Sequence, residues 1–247
     1  MALGNNQQSQ SRIFLTVGFG KLRQKTLATG QKVDENTPNA VKRVTQQGAD
    51  TWALEFDFIT GRIESIQYKD NSATKFENSF DVLLRDGIDH YQISFTEDSK
   101  FWFGFMELLP NVNFNDDLTI TVFDYVNKEK VRKSGINIEQ FNNKNTREVT
   151  FKDSTIHPFI KSFYKDYQDN QWKFLNGYPA PSNSMNWKDK DDVKSYFISV
   201  KKFLRAEFAR LIAGKFSKAE EKHENLPSEQ NISENIPEGT DKDDLPL

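Results

Sequence analysis

Apolar and polar residues alternate in short stretches along much of the chain. The period of two is clearest in segments 12–19 and 52–58, where apolar residues occupy every second position. Because successive side chains of a β-strand point to opposite faces, this alternation predicts strands with one buried face. Similar patterns predict further strands in segments 62–68, 80–85, 89–95, 118–125, 135–141 and 147–151.

Two dipeptides between these segments are typical of tight turns. Thr60-Gly61 follows the strand predicted at 52–58, and Asp86-Gly87 lies between two other predicted strands. Glycine adopts the positive φ of a two-residue hairpin turn without steric cost, and Asp-Gly is a common sequence there. We therefore predict a hairpin around each of these glycines.

Helical periodicity is confined to the C-terminal half of the chain. Aromatic residues at four-residue spacing after Pro158 predict a helix that begins at this proline. The strongest helical pattern spans 189–213, and Gly214 is its predicted end. Segment 101–109 is apolar on every face, so both a buried helix and a buried strand remain open.

Short strands in hairpins, one helical insertion and long basic loops suit a small β-barrel. The leading prediction is a mainly β (α+β) domain over residues 12–216. We expect it to be an OB-fold-like, partly open barrel with helical additions, while sandwich and other barrel topologies remain open. Residues 1–11 are predicted to form a flexible N-terminus.

Charge is divided unevenly along the chain. Residues 219–247 contain nine acidic and two basic side chains, a net charge of −7 in a chain whose total is −3. The remaining residues therefore carry +4, and segment 12–48 alone has seven basic residues against two acidic ones. Segment 217–247 lacks Phe, Tyr and Trp, so it cannot bury enough apolar surface to offset its ordering entropy. We predict that 217–247 is a disordered acidic tail.

Several classes of catalytic or cofactor site lack support. The chain has no cysteine, its three histidines are widely separated, and no glycine-rich phosphate loop of the Walker or dinucleotide type occurs. Asp116-Asp117 precedes a predicted strand and is interpreted as a turn. Glu55 and Asp57 share a strand face, but no histidine or further acidic motif accompanies them. We therefore expect no enzymatic activity, no metal and no cofactor.

Membrane insertion and secretion are not expected either. No stretch of the chain reaches the roughly 18 consecutive apolar residues that a spanning helix needs. The first eight residues carry no charge and no long apolar run, unlike a secretory signal, and the lack of cysteine fits a reducing compartment. We expect a soluble protein of the cytoplasm.

Basic residues cluster in the predicted loops. A protein that binds single strands without sequence preference needs cations that follow the phosphates and rings that stack on unpaired bases. The clustering favours such a role for the set, although each member alone could be an ordinary solvated charge. The candidate cations are Lys21, Arg23, Lys25, Lys42, Arg43, Lys128, Lys130, Arg132 and Lys133.

The aromatic residues must be divided between the core and a binding surface. In the strand at 52–58 the rings lie opposite Glu55 and Asp57, whose charges would repel phosphates. We therefore predict that the rings of this strand point into the core. Other rings lie on the polar face of a strand or where a strand enters a polar loop, and these are the candidate stacking residues: Phe14, Tyr68 and Tyr125.

The sequence ends in Asp243-Asp244-Leu245-Pro246-Leu247, an apolar tip directly after two carboxylates. A tail that serves only solubility has no need of such a tip. This tip, after an acidic linker and a basic β-rich body, resembles bacterial and phage single-stranded DNA-binding proteins, whose tip commonly reads Asp-Asp-Asp-Ile/Leu-Pro-Phe. Leu247 departs from that pattern, which has a terminal phenylalanine. The long, aromatic-rich body is more similar to a divergent phage version than to a cellular one.

The resemblance implies a non-enzymatic protein that coats and protects single-stranded DNA in replication, recombination or repair, in the host cytoplasm if a phage encodes it. Asp243, Asp244, Leu245, Pro246 and Leu247 would dock a replication or recombination protein, such as a polymerase, helicase or primase. Because Leu247 replaces the terminal phenylalanine of the family, we expect a different or dedicated partner. Two alternatives remain open: a phage structural or assembly protein with a solubilising tail, and a polymerase-accessory or strand-annealing protein.

Overall fold

The computed structural model of the chain describes residues 12–45, 48–70, 78–97, 99–168 and 171–213. Within these ranges the chain is mainly β-sheet with two α-helices. The strands are β1 (Arg12–Gly18), β2 (Lys21–Gln24), β3 (Val41–Val44), β4 (Asp50–Phe56), β5 (Phe58–Lys69), β6 (Ser79–Asp86), β7 (Asp89–Thr96), β8 (Leu118–Val126), β9 (Arg132–Glu139), β10 (Thr146–Thr150), β11 (Ile156–Ile160), β12 (Lys165–Gln168) and β13 (Gln171–Phe174). The helices are α1 (Lys100–Leu108), continued by a 3-10 turn at Leu109–Asn111, and α2 (Lys190–Ala213).

Eleven strands form one large sheet in the order β10-β11-β9-β8-β5-β6-β7-β1-β2-β4-β3, and β12 pairs separately with β13. Neighbouring strands run antiparallel except β1 and β7, which are parallel. The mainly β prediction is thus confirmed, but the sheet is not a closed barrel. β4 passes into β5 through the single residue Asp57. The segment 50–69 therefore occupies two positions in the sheet, one beside β2 and one beside β6.

One of the two predicted hairpins is confirmed and the other is wrong. β6 and β7 pair antiparallel around Gly87, which has a φ of +58°. Thr60 and Gly61, in contrast, lie inside β5 and make no turn. Gly61 serves a close approach instead, since a Cβ there would lie 2.8 Å from the carbonyl oxygen of Arg85. The fold therefore requires a glycine at position 61, but for close packing between strands and not for a turn.

The helix predicted from Pro158 is also wrong, because this proline lies in β11. Its Cα is opposite Glu148 in β10, and its carbonyl oxygen accepts the backbone N–H of Gln140 at 3.1 Å. The aromatic spacing that suggested a helix is four residues, which is also an even number. Phe159 and Phe163 are therefore compatible with the period of a strand as well as with that of a helix.

Both remaining helical segments are α-helices. α2 matches the prediction for 189–213 closely. The segment that the sequence left open is α1, which starts at the cap Ser99 and is covered on both sides. Phe105 stacks on a phenylalanine of β7 at 5.0 Å between ring centroids, and Phe103 meets Phe197 of α2 at 5.8 Å. No helix among the described residues is long and apolar enough to cross a membrane.

Candidate nucleic-acid interface

The β8–β9 hairpin has an ordered tip that presents lysines to solvent. The side-chain oxygen of Asn127 accepts the backbone N–H groups of Glu129 and Val131 at 3.0 and 2.8 Å. Lys130 adopts a φ of +60°, which closes the turn. These bonds fix the backbone from which Lys128 and Lys130 project into solvent.

Aromatic side chains line one face of this hairpin. Along β8, Ile120 and Val122 enter the core, whereas Phe123 and Tyr125 point to the opposite face, with 5.9 Å between their ring centroids. Phe58 of β5 lies on that face too, because it is opposite the β8 residue two positions before Phe123. The exposed fractions of Phe58 and Tyr125 are 60% and 55%. These three rings are called the aromatic row below.

Cations stand directly beside the aromatic row. Lys133 of β9 is opposite Tyr125 in the antiparallel register, so their side chains share one face. Lys128, Lys130 and Lys133 make no ion pair with another residue in the part of the chain that the structure describes. These three lysines, called the hairpin cations below, are therefore available to phosphate groups.

The rings of β4 and β5 disprove one sequence-based prediction. Phe56 and Phe58 were expected in the core, yet 42% and 60% of their surfaces are exposed. The buried face of this segment carries Ala53 and Glu55 instead, with the Glu55 side chain only 6% exposed. A carboxylate can be buried here because two arginines neutralise it. Sequence reasoning therefore missed Phe56, Phe58 and also Phe123 as surface residues.

The Glu55 carboxylate accepts hydrogen bonds from two arginines, both of which the sequence analysis selected as candidates for phosphate binding. Arg43 donates to both of its carboxylate oxygens, at 3.0 and 2.7 Å, and Arg23 donates from Nε at 3.1 Å. The ring of Phe19 lies against both guanidinium groups, at 4.9 and 5.8 Å. The hydrogen bonds from Arg43, with both arginine charges, lower the pKa of Glu55, while burial lowers the pKa of Arg23. Arg23 and Arg43 thus serve the fold.

Three more of the candidate cations are bound to carboxylates of the chain itself. Lys25 is exposed and makes no ion pair among the described residues. Of the nine candidate cations, five thus form ion pairs with acidic residues of the chain. The other four, Lys25 and the three hairpin cations, form none among the described residues. The remaining ion pairs are Lys21–Asp57, Lys42–Asp50 with 2.6 Å between the charged atoms, and Arg132–Asp124, also with 2.6 Å.

The three candidate stacking rings lie in different places. Only Tyr125 belongs to the aromatic row. Phe14 is 52% exposed on β1, where it is opposite Gln92 of β7. Tyr68 packs on Phe80 at 5.0 Å, and its hydroxyl accepts a hydrogen bond from Arg205 of α2 at 3.1 Å, so this ring joins β5 to the helix.

The β1–β2 turn packs directly against the hairpin. Gly20 has a φ of +69°, and a Cβ there would lie 2.5 Å from the backbone nitrogen of Asp124. Asp124 in turn accepts two hydrogen bonds from Arg132, at 2.8 and 2.6 Å. Gly20 thus lets the turn that carries Phe19 and Lys21 approach the base of the aromatic row.

Gly20→Ala is expected to lower the free energy of unfolding by about 1–3 kcal/mol, because it adds a steric clash to the strain of a left-handed alanine. Gly87→Ala is the matched control, since Gly87 also has a positive φ but a methyl group added there would meet no other atom within 4 Å. Urea unfolding of both variants measures the difference. Equal losses would mean that the contact with Asp124 contributes nothing.

Some predicted features fall outside the described residues. They include the flexible N-terminus, 1–11, and the acidic tail, 217–247, with its docking tip, Asp243 to Leu247. Among the described residues, no group of three or more His, Asp or Glu side chains could hold a metal ion.

The chain was compared with known proteins. No family model matches it. No curated protein and no solved structure matches it either. The functional argument therefore rests on the residues and geometry described above.

Proposed function

We propose that this chain binds single-stranded DNA without sequence preference, through the aromatic row and the hairpin cations. The observation that carries the proposal is the pairing of Tyr125, 55% exposed, with Lys133 on one sheet face. Stacking on rings and neutralisation of phosphates by lysines are the two interactions that such binding requires.

The exposed rings favour a single strand over a duplex. In a duplex the faces of the bases are stacked on one another, whereas an unpaired base can stack on a protein ring. Phe58 and Tyr125 lie on the exposed face of the sheet, and no loop of the described residues buries them. Lysines alone would attract single strands and duplex alike, so the rings supply the preference.

We further propose that the sheet is related to an OB-fold. The six strands β5-β6-β7-β1-β2-β4 begin and end on the continuous segment 50–69, with only Asp57 between β4 and β5. This continuity supports a curled sheet of the partly open type.

The acidic tail completes the proposal. We propose that the chain coats single strands in replication, recombination or repair, and that its last five residues recruit a replication protein. Leu245 and Leu247 would enter an apolar pocket of that partner, and Asp243 and Asp244 would meet basic residues at the rim.

A titration of fluorescent oligo-dT against salt is expected to show tight, salt-sensitive binding. Three phosphate contacts, one for each hairpin cation, predict a slope of log K against log salt of about −2 or steeper. Duplex DNA of the same length is expected to compete poorly, since it offers no unstacked bases. Fluorescence anisotropy at several salt concentrations measures both quantities.

Equal affinity for single strands and duplex would contradict the proposal. Absence of binding at low salt would also contradict it, and would favour a structural protein with a solubilising tail. An acceleration of the annealing of complementary strands, measured in the same buffer, would instead indicate a strand-annealing protein.

A further inference from the structure

A groove of about 1160 Å³ lies between β9, α1, the segment 160–166 and α2. It is larger than the 300–1000 Å³ that is usual for a small-molecule pocket, so its size suits an extended ligand. The groove contains none of the candidate residues that the sequence analysis selected. Its chemistry therefore provides independent information about the ligand.

The charge of the groove favours a polyanion. Five cationic and two acidic side chains line it. Lys144, Arg147 and Lys161 are exposed and make no ion pair with any residue that the structure describes. One of the two acids, Glu107, lies 3.5 Å from Lys165, and burial raises its pKa in spite of that lysine. The Lys165 ammonium therefore offsets the charge of Glu107 within the groove.

The cationic side of the groove is held in place by hydrogen bonds from side-chain amides. The Gln140 side chain, 1% exposed, bonds to the backbone of Asn113 at 2.8 and 2.7 Å and accepts from Asn143 at 2.7 Å. Asn111 donates to the carbonyl oxygen of Lys161 at 2.8 Å. Lys161 thus projects from a fixed backbone, which lowers the entropic cost of binding.

Aromatic rings line the same groove. Trp187 is 50% exposed and meets Tyr196 edge to face, with 5.6 Å between ring centroids. Tyr196 also contacts Phe197 at 5.3 Å. The three rings thus support one another and leave the indole of Trp187 open to a planar ligand. Cations around aromatic rings are the combination that single strands require.

β9 connects this groove to the hairpin. Ser134 and Gly135, which line the groove, follow Lys133 directly in the chain. β9 pairs with β8 along its length but with β11 only at Glu139. The second edge of residues 134–137 therefore borders the groove.

We propose that this groove is a second subsite for the same single strand, which continues along β9 from the hairpin. Lys144, Arg147 and Lys161 neutralise phosphates there, and Trp187 stacks on a base. This inference rests on the single-strand binding proposed above. Among the described residues it makes the groove the site of strongest base stacking, because tryptophan has the largest ring system.

Lys144→Ala with Lys161→Ala is the first test, measured by anisotropy with oligo-dT of about 30 nucleotides, longer than the usual site of one such domain. Loss of two phosphate contacts on a single strand is expected to reduce the slope of log K against log salt by about 1.4. The matched control is Lys32→Ala with Lys202→Ala, two exposed lysines that do not line the groove. The control is expected to leave the slope unchanged.

Trp187→Phe is the second test, since it removes an indole that is half exposed and not part of the core. Stacked bases quench tryptophan emission, so oligo-dT is expected to quench the wild type strongly. The variant is expected to lose most of this quenching and to bind about fivefold or more weakly.

The outcomes separate the two proposals. If the wild type binds oligo-dT, but the double lysine variant matches its control in slope and Trp187→Phe matches the wild type in affinity and quenching, the groove is not a subsite and the proposed function stands. If the wild type does not bind oligo-dT, both proposals fail. If an acidic peptide of residues 238–247 quenches Trp187 and oligo-dT does not, the groove binds a peptide and the inference is wrong.

Discussion

Glu55→Ala is expected to lower the free energy of unfolding by about 3–5 kcal/mol, the usual cost of removing one partner from a buried ion pair. The substitution leaves the guanidinium of Arg23, 3% exposed, without its carboxylate. Arg43 loses both of its hydrogen bonds to Glu55 but is 38% exposed and can be rehydrated. Urea unfolding followed by far-UV circular dichroism measures the loss.

Asp57→Ala is the matched control for this prediction. Asp57 is only two residues away and also pairs with a cation, Lys21, but its side chain is 71% exposed. Exposed ion pairs contribute about 0–1 kcal/mol, so a small loss is expected. If the two variants lost the same stability, burial of the Arg23–Glu55 pair would not matter to the fold.

The lowered pKa of Glu55 predicts how the free energy of unfolding depends on pH. Hydrogen bonds from Arg43, together with the charges of both arginines, lower the pKa of Glu55 in the folded state. Its contribution is therefore present in full above the pKa of the unfolded chain and is lost as pH falls through the lower, folded-state pKa. The stability difference between wild type and Glu55→Gln is expected to narrow in that acidic range, and unfolding at several pH values checks it.

Phe58→Ala combined with Tyr125→Ala is expected to weaken the binding of oligo-dT by about 30-fold or more. Stacking of one base on a ring is worth about 1–3 kcal/mol, and about 1.4 kcal/mol corresponds to a factor of ten. Both rings are more than half exposed, so their removal takes little from the core. Because the hairpin cations remain, the salt dependence is expected to stay close to that of the wild type.

Ile88→Ala combined with Ile198→Ala is the control, since these side chains are apolar, 83% and 59% exposed, and not part of the aromatic row. This control is expected to retain wild-type affinity. A ring variant that bound as tightly as the control would exclude the aromatic row as the site of stacking. A change in the slope against salt would mean that the variant also displaces the hairpin cations.

Local patterns predicted much of the fold. The alternation around β1, the Asp-Gly turn between β6 and β7, and the period of α2 each reflect forces that act within a few residues. The failures have a different origin. Whether Gly61 makes a turn depends on Arg85 in another strand, and whether a spacing of four residues is helical or extended depends on the partner strand.

The part of the candidate site that depends on residues close in sequence was also predictable. The lysines at the tip of the β8–β9 hairpin are close in sequence, so their clustering was visible. Phe58 was placed in the core because Glu55 was expected on the surface. Glu55 is buried instead because Arg23 and Arg43 neutralise it, and these two arginines lie in other strands. The groove beside β9 was missed because its walls come from distant segments.

The parallel contact between β1 and β7 has a consequence for how the chain folds. Arg12 of β1 bonds to Gln92 of β7, a partner 80 residues away. Contacts between residues so distant in sequence are slow to form, because a long loop must close before the contact stabilises it. During synthesis the first strand leaves the ribosome early and must remain without β7 until Gln92 has emerged. Its other edge can pair at once with β2, but until then its Phe14 face and the edge that pairs with β7 are open to other chains.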